Sequence, residues 1–385
     1  MKITIATGPI FPVPAVRGGA VQRLWDGLAR EFVQRGHEVT IFAREFPGQA
    51  TEETVDGIRY VRRGGYEQST SIKRDLVQCL LYALKTARHV PPGDVVVTND
   101  FWMPAILPWF NGKVGGVIAS IARFPKRQFF LYKKCAAIAP VSGSVARGIR
   151  DQTPCIADKV TVVPNCVDAA FLDPLPSKQP KAVVRVLFVG RIHPEKGLGL
   201  LANALRLLAA RDQKTKRPKD EELGWECVLV GPVKQSEGGG GEMFAEELKR
   251  QLAGLPVRFR SPVYSPRELA AVYDTGDILL YPSVAETGEA MPLAPLEGMA
   301  RGLVPVVSDI AAFREYLEPG ANGIVFDHRT PQAAANLAAS LRDLIGDPAR
   351  RERMGTAARQ TAENFSPAAV ADKYLQLFEK VISGT

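Results

Sequence analysis

The feature that most constrains the fold is an alternation of short, nearly continuous apolar runs with longer amphipathic runs. Strands that are apolar at every position are typical of parallel sheets covered by helices on both faces. The sequence therefore predicts an α/β fold with a doubly wound sheet in each half. The predicted strands are Ile3–Thr7, Val39–Ala43, Asp94–Thr98, Val117–Ile121, Ala137–Val141, Val184–Val189, Cys227–Gly231, Val257–Arg260, Ile278–Tyr281, Val304–Val307 and Gly323–Phe326.

Local capping signals mark several helices between these strands. Ser265 and Ser366 each precede a proline, and Glu268 completes a capping box with Ser265. The helix that starts after Ser366 is predicted to end near Ile382. The other predicted helices are Val21–Arg35, Gly197–Ala210, Pro331–Ile345 and Ala349–Glu363.

The chain has 385 residues, which is too long for one ordinary core and suits two domains of about 150–200 residues each. Asp173–Lys181 is rich in proline and polar residues and has no periodicity, which is typical of a linker. The predicted domains are residues 1–172 and residues 182–365.

Composition excludes several classes of protein. The five cysteines are scattered without a C-x-x-C pair, which argues against a disulfide framework or a zinc knuckle, and the four histidines are isolated. We expect no metal and no cofactor. No run approaches the roughly 20 apolar residues of a membrane span, and the first residues lack the pattern of a signal peptide, so the expected location is the cytoplasm.

The formal net charge is +8, which attracts anions such as nucleic acid, anionic lipid or phosphorylated substrates. Nucleic acid is the least favoured of these partners, because the positive charge is spread along the chain without a recognition motif.

Three loops between a strand and a helix carry candidate chemistry. Arg17–Ala20 places glycines before a helix N-terminus, where backbone N–H groups can meet an anion; a plain turn is the alternative. In Val189–Gly197, Arg191 and Lys196 flank a turn at the carboxyl edge of the second sheet, which suits a pyrophosphate, although two solvated cations would look the same.

The third loop, Glu286–Ala300, contains two glutamates separated by seven residues. Glu289 is predicted to lie in the loop and Glu297 inside the following helix. One carboxylate can accept hydrogen bonds from a sugar and the other from a ribose, with helix-end N–H groups between them. The alternative is two surface glutamates, which the apolar neighbours disfavour, because a glutamate among them needs a partner.

Taken in order and spacing, these pieces resemble a family 4 retaining glycosyltransferase of the GT-B fold over nearly the whole chain. The resemblance implies two Rossmann-like domains facing a central cleft: an N-terminal acceptor domain, on which residues 366–385 pack back, and a C-terminal nucleotide-sugar domain. The matching pieces are Gly18–Ala20, Ser142, Val163–Asp168, Val189–Gly197, Leu229–Pro232 and Tyr281–Asp309.

The resemblance also implies roles for individual residues. Gly18 and Gly19 would lie beside the donor's phosphates and sugar, Arg191 and Lys196 would neutralise the departing diphosphate, and Val263 would help to frame the base. Glu289 would contact the transferred sugar and Glu297 the ribose. Pro292 has no N–H, so the candidates for the phosphates are the N–H groups of its neighbours: Ala290, Met291 and Leu293.

Two departures from the family pattern stand out. Cys166 occupies a position that is usually glycine, and the histidine that many members carry after the strand Val117–Ile121 is absent. Asp100 or Arg123 would have to replace that histidine near the sugar. A non-catalytic binding protein or a nucleotide-sugar epimerase of the same fold therefore stays an alternative to the transferase.

The chain contains no Asp-x-Asp motif, the usual metal-binding signature of many nucleotide-sugar transferases. We therefore expect metal-independent transfer. The resemblance implies retention of configuration, and we expect the sugar to move from a UDP- or GDP-sugar to a glycan, a lipid-linked or a small-molecule acceptor.

The segment Arg123–Cys135 interleaves basic and aromatic residues. This pattern predicts peripheral contact with an anionic membrane, or else a half-buried amphipathic helix whose aromatic residues face the core.

Overall fold

The computed structural model describes residues 1–16, 19–69, 71–177, 182–212 and 224–384. Its contacts divide the chain into two compact units. Unit 1 comprises Met1–Asp168 with Phe365–Thr385, and unit 2 comprises Ala169–Asn364. The division after Asp168 falls slightly before the predicted linker, of which residues 178–181 lie outside the described residues.

Within the described residues, unit 1 has a seven-stranded sheet. Its strands are β1 (Lys2–Ala6), β2 (Glu38–Ala43), β3 (Glu52–Val55), β4 (Ile58–Arg62), β5 (Val95–Thr98), β6 (Gly116–Ile121) and β7 (Ala137–Pro140). They lie in the order β3-β4-β2-β1-β5-β6-β7. Neighbouring strands are parallel except β3 and β4, which are antiparallel.

Unit 2 has a six-stranded sheet in the part of the chain described, and its strand pairs are all parallel. Its strands are β8 (Val183–Val189), β9 (Gly224–Val230), β10 (Val257–Arg260), β11 (Ile278–Tyr281), β12 (Val304–Ser308) and β13 (Ile324–Phe326). The order β10-β9-β8-β11-β12-β13 places β8 beside β11 in the middle of the sheet.

Helices connect the strands in both units. They are α1 (Ala20–Gln34), α2 (Ile72–Thr86), α3 (Met103–Phe110), α4 (Gly143–Gln152), α5 (Leu198–Asp212), α6 (Glu242–Gln251), α7 (Pro266–Asp274), α8 (Leu293–Ala300), α9 (Ala333–Gly346), α10 (Pro348–Glu363) and α11 (Pro367–Ser383). Among these described helices, none has the length and apolar character needed to cross a membrane.

The capping signals work as predicted. The Ser265 hydroxyl accepts a hydrogen bond from the Glu268 N–H at 3.4 Å, and the Ser366 hydroxyl accepts one from the Ala369 N–H at 3.2 Å. Each cap satisfies one of the N–H groups that a helix leaves free at its start. The proline that follows each serine costs no hydrogen bond at this position.

Every predicted strand is confirmed, with ends that agree to within about a residue except that β9 begins earlier, at Gly224. The hairpin of β3 and β4 is absent from the predicted strands. Its turn is Asp56-Gly57, with φ of 51° and 79°, the backbone that a two-residue hairpin requires. An Asp-Gly pair between β-branched residues was therefore the available signal for this hairpin.

The C-terminal helix α11 belongs to the core of unit 1. Tyr374 packs against Trp25 of α1 with ring centroids 5.1 Å apart, and Phe378 packs against Phe32 at 5.6 Å. These buried rings cover the face of the sheet formed by apolar residues of β1, β2 and β5. Cys166, the departure from the family pattern, lies in the same core, which makes it a packing residue.

We expect Phe378→Ala to lower the free energy of unfolding of unit 1 by about 3–5 kcal/mol, because the substitution leaves a cavity among buried rings. Ile382→Ala on the same helix is the control, since its side chain is half exposed and its effect should stay within about 0.5 kcal/mol. Denaturant unfolding measures both. Equal effects would contradict the docking of α11.

Candidate functional site

Arg191 and Lys196 lie in the loop between β8 and α5, at the carboxyl edge of the sheet in unit 2. The loop is pressed against the end of β11. Gly197 has φ of 69°, and a Cβ atom there would lie 1.8 Å from the Pro282 carbonyl oxygen, so only glycine fits. The Val284 N–H and the Ser283 hydroxyl both donate to the Glu195 carbonyl, at 2.9 and 3.2 Å. The loop is thereby fixed before any ligand is bound.

The central feature is a buried ion pair between this loop and the loop before α8. The Lys196 Nζ lies 2.7 Å from Glu289 Oε1, and the two side chains are only 8% and 5% exposed. The Lys196 Nζ also lies 5.5 Å from the centre of the Tyr281 ring. Burial, followed by the charge of Glu289, raises the pKa of the Tyr281 hydroxyl well above its ordinary value. Two of the predicted residues, Lys196 and Glu289, are thus in direct contact.

Arg191 lies nearer the surface, with 43% of its side chain exposed. Its guanidinium pairs with Glu195 and donates to the Gly238 carbonyl at 3.0 Å. Glu195 Oε1 is also 3.9 Å from the Lys196 Nζ. Glu195 therefore connects the two cations, and a diphosphate that approaches Arg191 has to compete with this carboxylate.

Glu297 lies on α8, as predicted, and is half buried. The Tyr273 hydroxyl lies 3.0 Å from Glu297 Oε2 and 3.1 Å from the Ala294 carbonyl oxygen, so it donates its one proton to this pair of acceptors. Burial, with Glu297 as the next cause, raises the pKa of Tyr273 well above its ordinary value, which keeps this donor protonated. Tyr273 thus orients the Glu297 carboxylate.

The start of α8 carries the remaining donor candidates. Leu293 is the first residue of the helix, Met291 is buried, and Ala290 is half buried. The first turn has no acidic side chain, so nothing there opposes an anion near its N–H groups. Val263 follows β10 and is half buried at the same carboxyl edge of the sheet.

The remaining candidates belong to unit 1. Gly18 lies outside the described residues, and Gly19 precedes α1 with φ of 102°. Asp100 follows β5, and its Oδ2 accepts from the N–H groups of Trp102 and Met103 at 3.1 and 3.2 Å, which caps α3. Burial raises the pKa of Asp100 despite these bonds. Arg123 follows the neighbouring strand β6 and is exposed.

In the basic and aromatic segment Arg123–Cys135, the alternative prediction of a half-buried amphipathic helix is confirmed in part: two aromatic residues face the core, but the segment is not an α-helix. Residues Phe129–Tyr132 make a 3₁₀ turn in which Phe129 and Tyr132 are buried and Phe130 is 57% exposed. Aromatic residues three positions apart share a face in a 3₁₀ helix, so these two rings pack together inside the unit. Of the aromatic residues in this 3₁₀ turn, Phe130 is therefore the one that is exposed to solvent.

Three residues of the site escape prediction from motifs: Tyr281, Tyr273 and Glu195. Tyr281 and Tyr273 are aromatic residues in apolar elements, where sequence patterns show only core packing. Glu195 is adjacent to Lys196, and its role as a bridge between the cations depends on the turn. Among the described residues, no group of three or more metal-ligating side chains comes together.

The fold defines a class of protein. Two α/β units with mainly parallel sheets are the architecture of GT-B glycosyltransferases. The structure is similar to sucrose-phosphate synthase from Thermosynechococcus elongatus, with a TM-score of 0.75, 18% sequence identity and full coverage of both chains.

Sequence comparison gives the family. The model described as "Glycosyl transferases group 1" matches residues 175–361, and that described as "Glycosyltransferase Family 4" matches residues 17–171. Together these two models match both halves of the chain, which therefore belongs to the group 1, family 4 glycosyltransferases.

Two curated relatives align over almost their whole length. Spore coat protein SA of Bacillus subtilis is 26% identical over 99% of this chain and 100% of its own. The D-inositol 3-phosphate glycosyltransferase of Kineococcus radiotolerans is 26% identical over 99% of this chain and 94% of its own.

The buried pair Lys196–Glu289 can be compared with Lys249–Glu246, which has the same 2.7 Å separation but is exposed. We expect Lys196→Ala or Glu289→Ala to lower the free energy of unfolding by about 3–5 kcal/mol, because each leaves the other charge buried and unpaired. The double variant should lose much less than the sum of the two.

The matched substitutions Lys249→Ala and Glu246→Ala should cause no measurable loss, since solvent screens this pair. Chemical denaturation of all variants gives the two coupling energies. Similar coupling energies in the buried and the exposed pair would refute the conclusion that Lys196 and Glu289 form a buried pair in which each charge depends on the other.

Proposed function

We propose that this protein transfers a sugar from a nucleotide-diphosphate sugar to an acceptor hydroxyl, with retention of configuration and without a metal ion. The observation that carries the proposal is the buried Lys196–Glu289 ion pair, with Arg191 beside it, at the carboxyl edge of the unit 2 sheet. Ligands of doubly wound sheets bind at this edge. We favour UDP or GDP as the nucleotide.

The chemical difficulty of the reaction is the negative charge that develops on the departing diphosphate. Fixed cations and N–H dipoles can stabilise this charge without reorganisation, because the surrounding fold already holds them in place. Arg191 offers several N–H donors at the surface, and Lys196 offers a positive charge beneath it. The N–H groups at the start of α8 add a partial positive charge, for which Ala290, Met291 and Leu293 are the candidates.

The two glutamates would hold the two ends of the donor. Glu289 has one oxygen on Lys196, and its remaining lone pairs can accept hydrogen bonds from the hydroxyls of the transferred sugar. Glu297, oriented by Tyr273, is assigned to the ribose, and Val263 to the side of the base. Because Glu289 is engaged by Lys196, we assign it to binding and not to nucleophilic attack, which favours departure and attack on the same face of the sugar.

In unit 1, Gly18 and Gly19 are proposed to lie beside the donor, and Asp100 or Arg123 to take the place of the missing histidine. Asp100 already accepts two backbone hydrogen bonds through Oδ2, and we propose that its carboxyl group also accepts a hydrogen bond from the sugar. Arg123 is exposed and could supply a positive charge to the acceptor.

We propose that the acceptor is a glycan, a lipid-linked or a small molecule in the synthesis of a cell-surface polysaccharide or glycoconjugate. The Kineococcus relative is a D-inositol 3-phosphate glycosyltransferase, which falls in the small-molecule class of this proposal. We place the protein in the cytoplasm, with peripheral contact at the inner membrane face, as the net charge of +8 favours.

The central test is release of nucleotide from UDP-, GDP- and ADP-sugars in the presence of EDTA, with and without acceptor extracts. We expect acceptor-dependent release. Arg191→Ala and Lys196→Ala should each lower kcat by roughly 10²–10³-fold, as loss of a preorganised charge-stabilising group does. Arg353→Ala, on the exposed surface of α10, is the charge-matched control and should keep the rate of the wild type.

Each result has a distinct meaning. Near-normal rates in both the Arg191 and Lys196 variants would overturn the assignment of the cations, and loss of activity with EDTA would overturn metal independence. Donor conversion without any acceptor would show an epimerase. Binding without release under any condition would show a non-catalytic nucleotide-sugar-binding protein.

Glu297 and its positioning residue Tyr273 permit a separate prediction. Tyr273→Phe removes the hydroxyl that orients Glu297, so we expect the KM for the donor to rise by about tenfold, the value of one lost hydrogen bond, while kcat changes less. Glu297→Gln should raise the KM similarly, and the double variant should add little to either. Additive effects would show that Tyr273 acts independently of Glu297.

A further inference from the structure

Unit 1 contains a cavity of about 320 Å³ that none of the proposed donor or acceptor residues lines. It is an open pocket lined by Glu52 of β3, by alternate residues of Arg59–Arg63 at β4, by Arg88–Pro92, which precede β5, and by Asn111 and Lys113, which precede β6. The segments before β5 and β6 are at the amino edge of the sheet. Asp100 follows β5, at the opposite edge, and is not among the lining residues.

The cavity is strongly cationic. It is lined by one histidine, His89, and by four permanently charged side chains, which are Arg59, Arg63, Arg88 and Lys113. Glu52 is the one carboxylate among the described lining residues, and it is shared by Arg59 at 3.1 Å and Arg63 at 2.5 Å. A single carboxylate cannot neutralise this set, so the cavity attracts a ligand with more than one negative charge.

The cations nearest the sheet edge lack acidic partners. In the described ranges, neither Arg88 nor Lys113 forms an ion pair, and both side chains are exposed to the cavity's solvent. His89 Nδ1 lies 3.2 Å from the Lys85 carbonyl oxygen. A carbonyl only accepts, so Nδ1 is the donor in this contact, and in the neutral ring Nε2 is then an acceptor. The donors that the cavity offers to an anion are therefore the arginine and lysine side chains.

The frame of the cavity is rigid. Asn111 Nδ2 donates to the carbonyls of Ala87 and Val90 at 3.3 and 3.0 Å, which joins the two segments that carry Arg88 and Lys113. Val61 and Val90 are buried and form an apolar floor. The backbone segments that carry these cations are therefore joined before a ligand arrives, which lowers the ordering cost of binding.

We propose that this cavity binds the phosphate group of an anionic ligand, with Arg88 and Lys113 as its principal contacts. Phosphate matches these two cations because its oxygens can accept two hydrogen bonds from the arginine guanidinium and pair with the lysine ammonium group at the same time. The cavity acts independently of the sugar-nucleotide site, and its assignment does not rest on the proposed function.

Exposed apolar side chains lie close in the chain to the lining residues and indicate where the phosphate could come from. Leu84, on α2, is four residues before Arg88, and Trp109 and Phe110 immediately precede Asn111; they are 45%, 65% and 59% exposed. The Lys134 Nζ lies 3.3 Å from the centre of the Trp109 ring and adds a further positive charge to this apolar group. Apolar residues beside a cationic pocket suit a phospholipid headgroup whose chains remain in a membrane. A soluble phosphate ester is the other source of the same chemistry, and the experiment separates the two.

The test compares two double variants with equal loss of charge. Arg88→Gln with Lys113→Gln removes the proposed contacts, whereas Arg147→Gln with Lys380→Gln removes two exposed charges elsewhere on unit 1. Binding of glycerol 3-phosphate is measured by calorimetry. Binding to vesicles of phosphatidylcholine, with and without phosphatidylglycerol, is measured by sedimentation. Thermal unfolding confirms that each variant is folded.

We expect the cavity variant to bind at least one of the two phosphate probes about tenfold more weakly than the wild type, and the control variant to stay within about twofold. Loss toward phosphatidylglycerol vesicles identifies a lipid source, and loss toward glycerol 3-phosphate alone identifies a soluble one. Arg88→Lys with Lys113→Arg should keep most of the binding. Equal behaviour of the cavity and control variants toward both probes would overturn the proposal.

Discussion

The candidate site depends on one interaction, the buried ion pair between Lys196 and Glu289. Two charges at this depth are tolerated only when each satisfies the other, because an unpaired buried charge costs several kcal/mol. The pair requires the loop after β8 and the loop before α8 to meet. The adjacent positions of β8 and β11 bring these loops together, and Gly197 permits the close approach to Pro282. The ion pair therefore depends on the contact between the two loops, and that contact depends on the order of the strands.

The two units differ in whether their clustered cations are paired with carboxylates. In unit 2 the cations Arg191 and Lys196 are matched by carboxylates, so a diphosphate has to replace Glu195 at Arg191 while Glu289 keeps Lys196 oriented. The carboxylates therefore balance the charge of the cations while no ligand is bound. In the cavity of unit 1, Arg88 and Lys113 have no acidic partner within the described residues, and an anion would add to the set instead of exchanging with a side chain.

Much of the fold could be predicted from the sequence because its signals are local. An apolar strand, a serine cap and a proline at the first helical position act within a few residues, and the strands and caps observed agree with them. The hairpin of β3 and β4 was also marked locally, by Asp56-Gly57. However, β3 is polar and mostly exposed, and β4, although mostly buried, is interrupted by arginines, so neither has the apolar run that identifies the other strands. The segment 123–135 failed as a helix because burial of Phe129 and Tyr132 decided its backbone, and burial is a tertiary property.

By itself, the sequence determined the order of the elements and the chemical groups available at each loop, including Arg191, Lys196, Glu289 and Glu297. It did so because residue type and short-range spacing decide strand, turn and helix. Only the tertiary structure decided which groups meet: Lys196 with Glu289, Glu297 with Tyr273, and the cations around Asn111. These contacts join residues far apart in the chain, and their partners follow from strand order and packing, which no local pattern encodes.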